Sequence, residues 1–239
     1  MLMMALLCLA GCSIKEDRHD CPAWLGVRLS SESMDLATKY PVRVILRHAS
    51  GTDSLFVNSD SPQQWAAVER GNVHVEGRLA NGAGTAAAWG VECDSLWVFK
   101  ADIPVKAEEE RVEVLLHKRF ATVYFSFDKE PDERTSRIRL RSVPKSEEYC
   151  CLLKLSSGGE TSVRLPEHGK DSVLELECLS ALDSRLLWDW DLGEALLKAG
   201  YDWGADDLAD ARVRVSLAPL EVHVEIIPWT SEEGLVLEI

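Results

Sequence analysis

The sequence contains no Cys-x-x-Cys pair, no His-Glu-x-x-His run, no Gly-x-Ser-x-Gly elbow, no phosphate-binding loop and no glycine-rich dinucleotide fingerprint. Each absence withdraws support from one chemistry, in turn thiol redox or zinc ribbons, zinc hydrolysis, serine esterase catalysis, nucleotide hydrolysis and hydride transfer. The six histidines are scattered without the spacing of a metal site, so no metal, cofactor or catalytic residue is assigned. Basic residues are scarce, with 26 Lys and Arg against 40 Asp and Glu and a net charge of −14. Lys and Arg drive binding to a nucleic-acid backbone, so no nucleic-acid partner is expected. No apolar run reaches the length of about 20 residues that a membrane-crossing helix needs. Low-complexity segments are also missing.

What remains is a chain of 239 residues, 46% of them hydrophobic, written mostly as short alternating runs. Such a chain can bury one large core or two of about 100 residues each. Alternation of apolar and polar residues marks half-buried strands over residues 24–29, 42–48, 55–57, 73–79, 96–99 and 112–116. Ser50-Gly51-Thr52-Asp53 supplies a hairpin turn, and Asn81-Gly82 a second, with a return strand expected over 85–92. The strongest strand signal covers 120–127, followed by 138–143, 163–165, 173–178, 211–217, 221–227 and 235–239. One helix is predicted over 192–199, where Leu192, Ala195, Leu196 and Ala199 share a face and Gly200 supplies the stop. His117-Lys118-Arg119 lies between two strands and marks the expected boundary. Two tandem sandwiches account best for the lengths, and one continuous sandwich is the alternative.

The N-terminus has its own pattern. Residues 1–10 are apolar, Ala10-Gly11 are small, Cys12 follows, and residues 13–20 are polar or charged. Small residues before a cysteine suit a signal peptidase, and the cysteine after the cut can carry a lipid. The expectation is a signal peptide over 1–11 and a lipidated tether over 12–22 anchored through Cys12, although no Lys or Arg precedes the apolar run. With Cys8 removed and Cys12 acylated, five of the seven cysteines are left, and they read as small apolar core residues.

Two constellations merit weighing. Asp202, Asp206, Asp207 and Asp210 could hold calcium, but Leu208 and Ala209 interrupt the alternating oxygen ligands, and the aspartates serve equally as helix caps. Trp188 and Trp190, two of eight tryptophans, share one face of a strand and form a candidate glycan platform, while core packing accounts for the same spacing. Glu108-Glu109-Glu110 reads as a solvated turn.

Several segments together resemble the fimbrial anchoring-subunit lipoproteins of Bacteroidota-type (type V) fimbriae, the minor fimbrillin family. They are Cys12 through the acidic tether to Asp20-Cys21-Pro22, the surface-export signal Lys15-Glu16-Asp17, the run from His117 to Phe127, and Leu192 to Trp203 with the closing strands to Trp229. The resemblance implies an all-β fold of two tandem transthyretin-like β-sandwich domains, 23–117 and 118–239, with one short helix in the C-terminal domain. It implies no enzyme activity, a lipid-anchored and surface-exposed place on the outer membrane, and a fimbrial stalk subunit as partner through strand exchange. Candidate donor strands are Glu221 to Ile227, with Val222, Val224 and Ile226 on one face, and Leu235, Val236 and Leu237 at the end of the chain. The strand over 24–29 is expected to stay in place, and Arg28, Arg43 and Arg47 are candidate protease sites should it be cut. The competing class is a surface glycan-binding lipoprotein of a sugar-uptake system.

Overall fold

Alternating runs become strands wherever the structure, a computed structural model, describes them; the described residues are 22–80, 96–129, 136–143, 149–154, 159–169, 172–217 and 220–229. In chain order the first half holds β1 (Ala23–Leu29), α1 (Ser31–Leu36), β2 (Val42–His48), β3 (Gly51–Val57), β4 (Gln63–Val68), β5 (Gly71–Ala80), β6 (Leu96–Val105), β7 (Glu109–Val114) and β8 (His117–Lys118). The second half holds β9 (Phe120–Phe127), β10 (Ser136–Val143), β11 (Tyr149–Leu152), β12 (Glu160–Pro166), β13 (Val173–Ser180), β14 (Leu186–Asp191), α2 (Leu192–Lys198), β15 (Asp210–Leu217) and β16 (Leu220–Ile227).

The strands form four sheets, ordered β4-β1-β7, β3-β2-β5-β6-β8, β12-β9-β15-β16 and β11-β10-β13-β14. The topology repeats: adding eight to each number in β4-β1-β7 and β3-β2-β5-β6 gives β12-β9-β15 and β11-β10-β13-β14. Each repeat opens with a strand held between an antiparallel and a parallel neighbour, β1 between β4 and β7, β9 between β12 and β15. Only the extra strands differ. β8 adds to the outer side of β6, whereas β16 adds beside β15.

Each pair of sheets closes on its own core. One cluster runs from Ala23 to Leu116 and takes Leu25, Val27 and Val112 from one sheet and Val44, Leu46 and Val75 from the other. The second runs from Ala121 to Val215 and includes Phe125, Leu140, Leu176 and Leu196. The fold is therefore all-β, two sandwiches in tandem, with α2 as the short helix of the second. Asp191 starts that helix by accepting a hydrogen bond from Glu194 N at 2.7 Å, and Gly200 ends it at φ 90°, a conformation glycine adopts without Cβ strain.

Several details depart from the sequence reading, among them the strands β11 and β14, for which it gave no range. Ser30 caps the unforeseen six-residue helix α1, and Ser33 on that helix accepts the Leu116 amide at 2.8 Å, tying the turn after β1 to the end of β7. β4 was not foreseen either, because Gln63 and Gln64 hide its start. Glu109 and Glu110 are not a turn but the first residues of β7, paired with Trp24 and Leu25. The Asn81-Gly82 turn and the strand over 85–92 lie outside the described residues.

One buried polar cluster makes the second core sensitive to pH. His168 is 3% exposed, lies against Trp203 with ring centroids 4.7 Å apart, and has both ring nitrogens engaged. Nδ1 is 2.7 Å from the Pro166 carbonyl, which can only accept, so Nδ1 carries the proton and Nε2 accepts from Ser142 Oγ at 2.6 Å. Burial lowers the pKa from 6.5 to about 4, against the smaller opposite effect of the Pro166 carbonyl. The folded chain thus binds this proton less readily than the unfolded chain. The stability it confers is complete above pH 6.5 and is lost as pH falls toward 4, by about 3 kcal/mol over the whole window. Urea titrations between pH 7 and 4 should show this decline in wild type and a shallower one in His168→Gln; an equal slope in both would remove His168 as its cause.

Candidate assembly site

For a chain that would join others through strands, the informative places are those where a strand is fully enclosed and those where one is left at an edge. β1 is the enclosed strand. Ala23, Leu25, Val27 and Leu29 on its inner side are all 0% exposed, and both backbone edges are paired, antiparallel to β4 from Ala23 to Arg28 and parallel to β7 from Trp24 to Leu29. Burying a Leu or Val side chain contributes about 1.5–3 kcal/mol, so this strand is a main support of the first core. Arg28 lies within it, and Arg43 and Arg47 lie in β2, itself paired on both sides with β3 and β5, so all three candidate protease sites sit in paired strand.

β16 is the edge strand. It pairs antiparallel with β15 throughout, from Asp210 opposite Ile227 to Leu217 opposite Leu220, and has no neighbour on its outer side among the described residues. Val222, Val224 and Ile226 are half-buried against the second core, while Glu221, His223 and Glu225 point to solvent. A strand with one edge open and one apolar face is the physical requirement for β-augmentation. Leu235, Val236 and Leu237 lie outside the described residues, as do Cys12, Lys15, Glu16 and Asp17.

Between the sandwiches, residues 117–119 are stitched to both. On one side, β8 pairs with β6, and Arg119 N donates to Leu96 O at 2.8 Å. On the other, Asp207 accepts from Lys118 N at 2.7 Å and lies 3.0 Å from His117 Nδ1, while Leu208 N donates to Lys118 O at 3.0 Å. Arg119 donates to the carbonyls of Ala205 and Asp206 and pairs with Glu167 at 2.7 Å. The Lys118 side chain is 2% exposed; Nζ reaches Asp210 Oδ1 at 2.5 Å and the Leu208 carbonyl at 3.2 Å. It also lies 4.9 Å from the Phe120 ring centroid and 5.0 Å from that of Trp229. Desolvation lowers the pKa of Lys118, and the hydrogen bond and charge of Asp210 work in the opposite direction. Trp97 of β6 closes the apolar side, edge-on to Phe120 at 5.8 Å and to Trp229 at 5.3 Å.

This arrangement gives part of the aspartate cluster a structural role. Asp207 and Asp210 serve the joint, Asp202 accepts from Gly204 N at 2.8 Å, and no group of three metal-ligating side chains occurs among the described residues. Trp188 and Trp190 do share one face of β14, and that face packs half-buried against the second core. Cys150, Cys151 and Cys178 are buried as expected of core residues; Cys21 and Cys93 lie outside the described residues. A groove of about 230 Å³ beside α2 is bordered by His168, Asp191, Glu194 and Trp203, but its histidine is already engaged on both nitrogens.

These features define a class: an all-β chain that repeats one sandwich topology and carries an added edge strand at its second end. No family model and no curated protein sequence matches the chain. Among solved structures, the fimbrial anchor protein Mfa2 from Porphyromonas gingivalis is 14% identical with a TM-score of 0.59, the match covering 87% of this chain and 98% of that one. A proposed polysaccharide-binding protein from Bacteroides thetaiotaomicron is 8% identical with a TM-score of 0.57, over 88% of this chain and 99% of that one. A proposed adhesin from the same organism is 10% identical with a TM-score of 0.54, over 86% and 96% of the two chains. At these identities the likeness establishes a shared fold along nearly the whole of each chain.

The joint yields a direct test. Replacing Lys118 by Met keeps its volume but leaves Asp210 with only the Thr122 amide, at 2.7 Å, as a charge-stabilising donor in the described contacts. Removing one partner of a buried pair costs about 3–5 kcal/mol, and the residual exposure of Asp210, 19%, places the cost at the lower end. Urea unfolding of Lys118→Met should show that loss, and adding Asp210→Asn should recover part of it. A single variant as stable as wild type would show that the joint does not depend on this pair.

Proposed function

We propose that this chain is a non-enzymatic, surface-exposed lipoprotein of the outer membrane that fixes a fimbrium by giving a strand to its first stalk subunit. A signal peptide over residues 1–11 would be removed, Cys12 would carry the lipid on a tether over 12–22, and Lys15, Glu16 and Asp17 would direct it to the surface. The division into 23–117 and 118–239 is part of the same reading. The likeness to a fimbrial anchor and to a proposed adhesin supports it at the level of fold.

The observation that carries the proposal is the asymmetry between the two repeats. Among the described residues the same seven strands build each sandwich, and β1 fills the first one from within, so the reading requires no strand from another subunit there. β16 is surplus to the repeat: the first sandwich stands with only β4-β1-β7 in the corresponding sheet. A subunit that has nothing missing and one strand to spare can donate without accepting, which ends growth at its own position. Donation by β16 requires it to leave β15; donation by 235–239 does not, so β16 can remain seated while the residues beyond it engage the partner. The glycan-binding alternative loses its first candidates because Trp188 and Trp190 face the core.

Deleting residues 219–239 in a fimbriated host should release fibres into the medium, and deleting only 230–239, which keeps β16 and the Trp229 contacts at the joint, should do so with the near-UV circular dichroism unchanged. Fibres that stay attached at normal length would eliminate strand donation from this end. Cys12→Ser should abolish fatty-acid labelling and move the protein out of the membrane fraction; undiminished labelling would place the lipid elsewhere.

A further inference from the structure

The outer face of the sheet β4-β1-β7 carries a feature that neither the core nor strand exchange uses. Because Ala23, Leu25, Val27 and Leu29 turn inward, Trp24, Gly26 and Arg28 turn outward, and the register places Trp65 opposite Gly26 on one side and Arg111 opposite it on the other. Trp65 lies across Gly26. A Cβ built on Gly26 would meet the Cη2, Cζ3 and Cζ2 atoms of the indole at 2.8, 2.9 and 3.0 Å, which puts the six-membered ring over the strand. The Arg111 guanidinium lies over that ring as a cation–π partner, 5.5 Å from its centroid, so a ligand stacking on the indole would share the ring with this mobile side chain. Trp24, two residues along β1, is the diagonal neighbour of Trp65, at a spacing of roughly 7–8 Å for such pairs. The two indoles remain 48% and 36% exposed.

We propose that this face is a binding site for a neutral glycan chain of at least two sugar rings. A pyranose presents an apolar face of C–H groups and a rim of hydroxyls. An indole laid flat on a sheet offers the matching apolar surface, and Arg28, Arg111, Glu109 and Glu113 around it offer donors and acceptors for the rim. The four charges cancel on this face, and the chain as a whole carries −14, which repels polyanions such as uronate-rich or sulfated glycans. Neutral sugars are therefore the class it fits. A protein partner suits it less, because the two indoles stand among four charges, whereas the centre of a protein interface is depleted of charge. The site needs β1 in place, since Trp24 and the Gly26 floor both belong to that strand.

The test is affinity electrophoresis of the full chain in gels containing yeast mannan, xylan, mixed-linkage β-glucan or galactan, with alginate and heparin as acidic controls, followed by tryptophan-fluorescence titration. Retardation is expected in at least one neutral gel. Trp24→Ala and Trp65→Ala should each weaken binding by about tenfold or more, a loss of about 1.4 kcal/mol, while Trp188→Ala leaves it unchanged. Thermal unfolding of Trp24→Ala should match wild type, separating lost binding from lost folding. Migration unaltered by every neutral polysaccharide, retardation confined to alginate or heparin, or binding indifferent to both substitutions would overturn the proposal. So would a dimer in sedimentation that Trp24→Ala converts to monomer, since the face would then be covered by a second copy. Because the fimbrial role is read from the far end of the chain, the Trp24 variant should still retain fibres, so each reading can fail alone.

Discussion

A lysine ammonium taken out of water and held between two sandwiches is the constraint on which the arrangement of this molecule depends. Lys118 is desolvated, and a buried cation is tolerable only when the field around it compensates. Here compensation comes from Asp210, the Leu208 carbonyl and the faces of Phe120 and Trp229. Those partners come from the strand that opens the second repeat, from the segment leading into β15 and from the end of β16. The lysine is also paired through its backbone to β6 of the first repeat. One residue thus engages both sandwiches, the second through its side chain and the first through its backbone, and the bonds of Lys118 N to Asp207 and of the Arg119 side chain to Ala205 and Asp206 turn a short connection into a fixed joint.

The duplicated topology explains where an edge is filled and where it is left open. In each repeat the opening strand lies between an antiparallel and a parallel partner, and the parallel partner, β7 or β15, is the last strand of the repeat. The position outside β15 is taken by β16; the position outside β7 has no strand among the described residues. The added strand therefore lies in the second repeat, away from β1. Edge strands expose unpaired amides and carbonyls, and β16 turns Glu221, His223 and Glu225 to solvent, which discourages indiscriminate pairing while leaving the backbone edge available.

Much of the strand inventory was legible because a half-buried strand writes its period of two directly into the sequence. Residues 120–127, 211–217 and 221–227 are examples, and α2 was legible from one apolar face and its glycine stop. What could not be read was which strands lie side by side. Parallel neighbours such as β1 and β7, or β9 and β15, are joined by no turn, so nothing local announces them. The repeat went unseen for the same reason, since it is conserved in topology and not in residues. The aspartate cluster was legible as a concentration of carboxylates but not in purpose: Asp207 and Asp210 are drawn to Lys118 by folding, and His117-Lys118-Arg119 was legible only as a boundary between two strands because sequence does not reveal desolvation. Tryptophan spacing likewise shows that Trp188 and Trp190 share a face, without saying that the face is inward.

Trp65 shows what local reading lacks, because its significance lies in a residue on another strand. An indole on a sheet surface ordinarily stands up from its neighbours' side chains. Opposite Gly26 it finds no Cβ and lies down, and the same glycine would weaken a central strand through lost packing and added chain entropy. That cost is offset on the inner side by Leu25, Val27 and Leu29, all completely buried. β1 is therefore divided by its pleat into two tasks: its odd-numbered residues hold the core, and its even-numbered ones shape the outer face. In the proposed role the strand also begins where the tether ends. A subunit that lost β1 to proteolysis and received a foreign strand in its place would keep the fold but lose Trp24 and the floor beneath Trp65. In that proposed role, retention of the first strand would determine two properties together, the inability to accept a strand and the presence of the aromatic face.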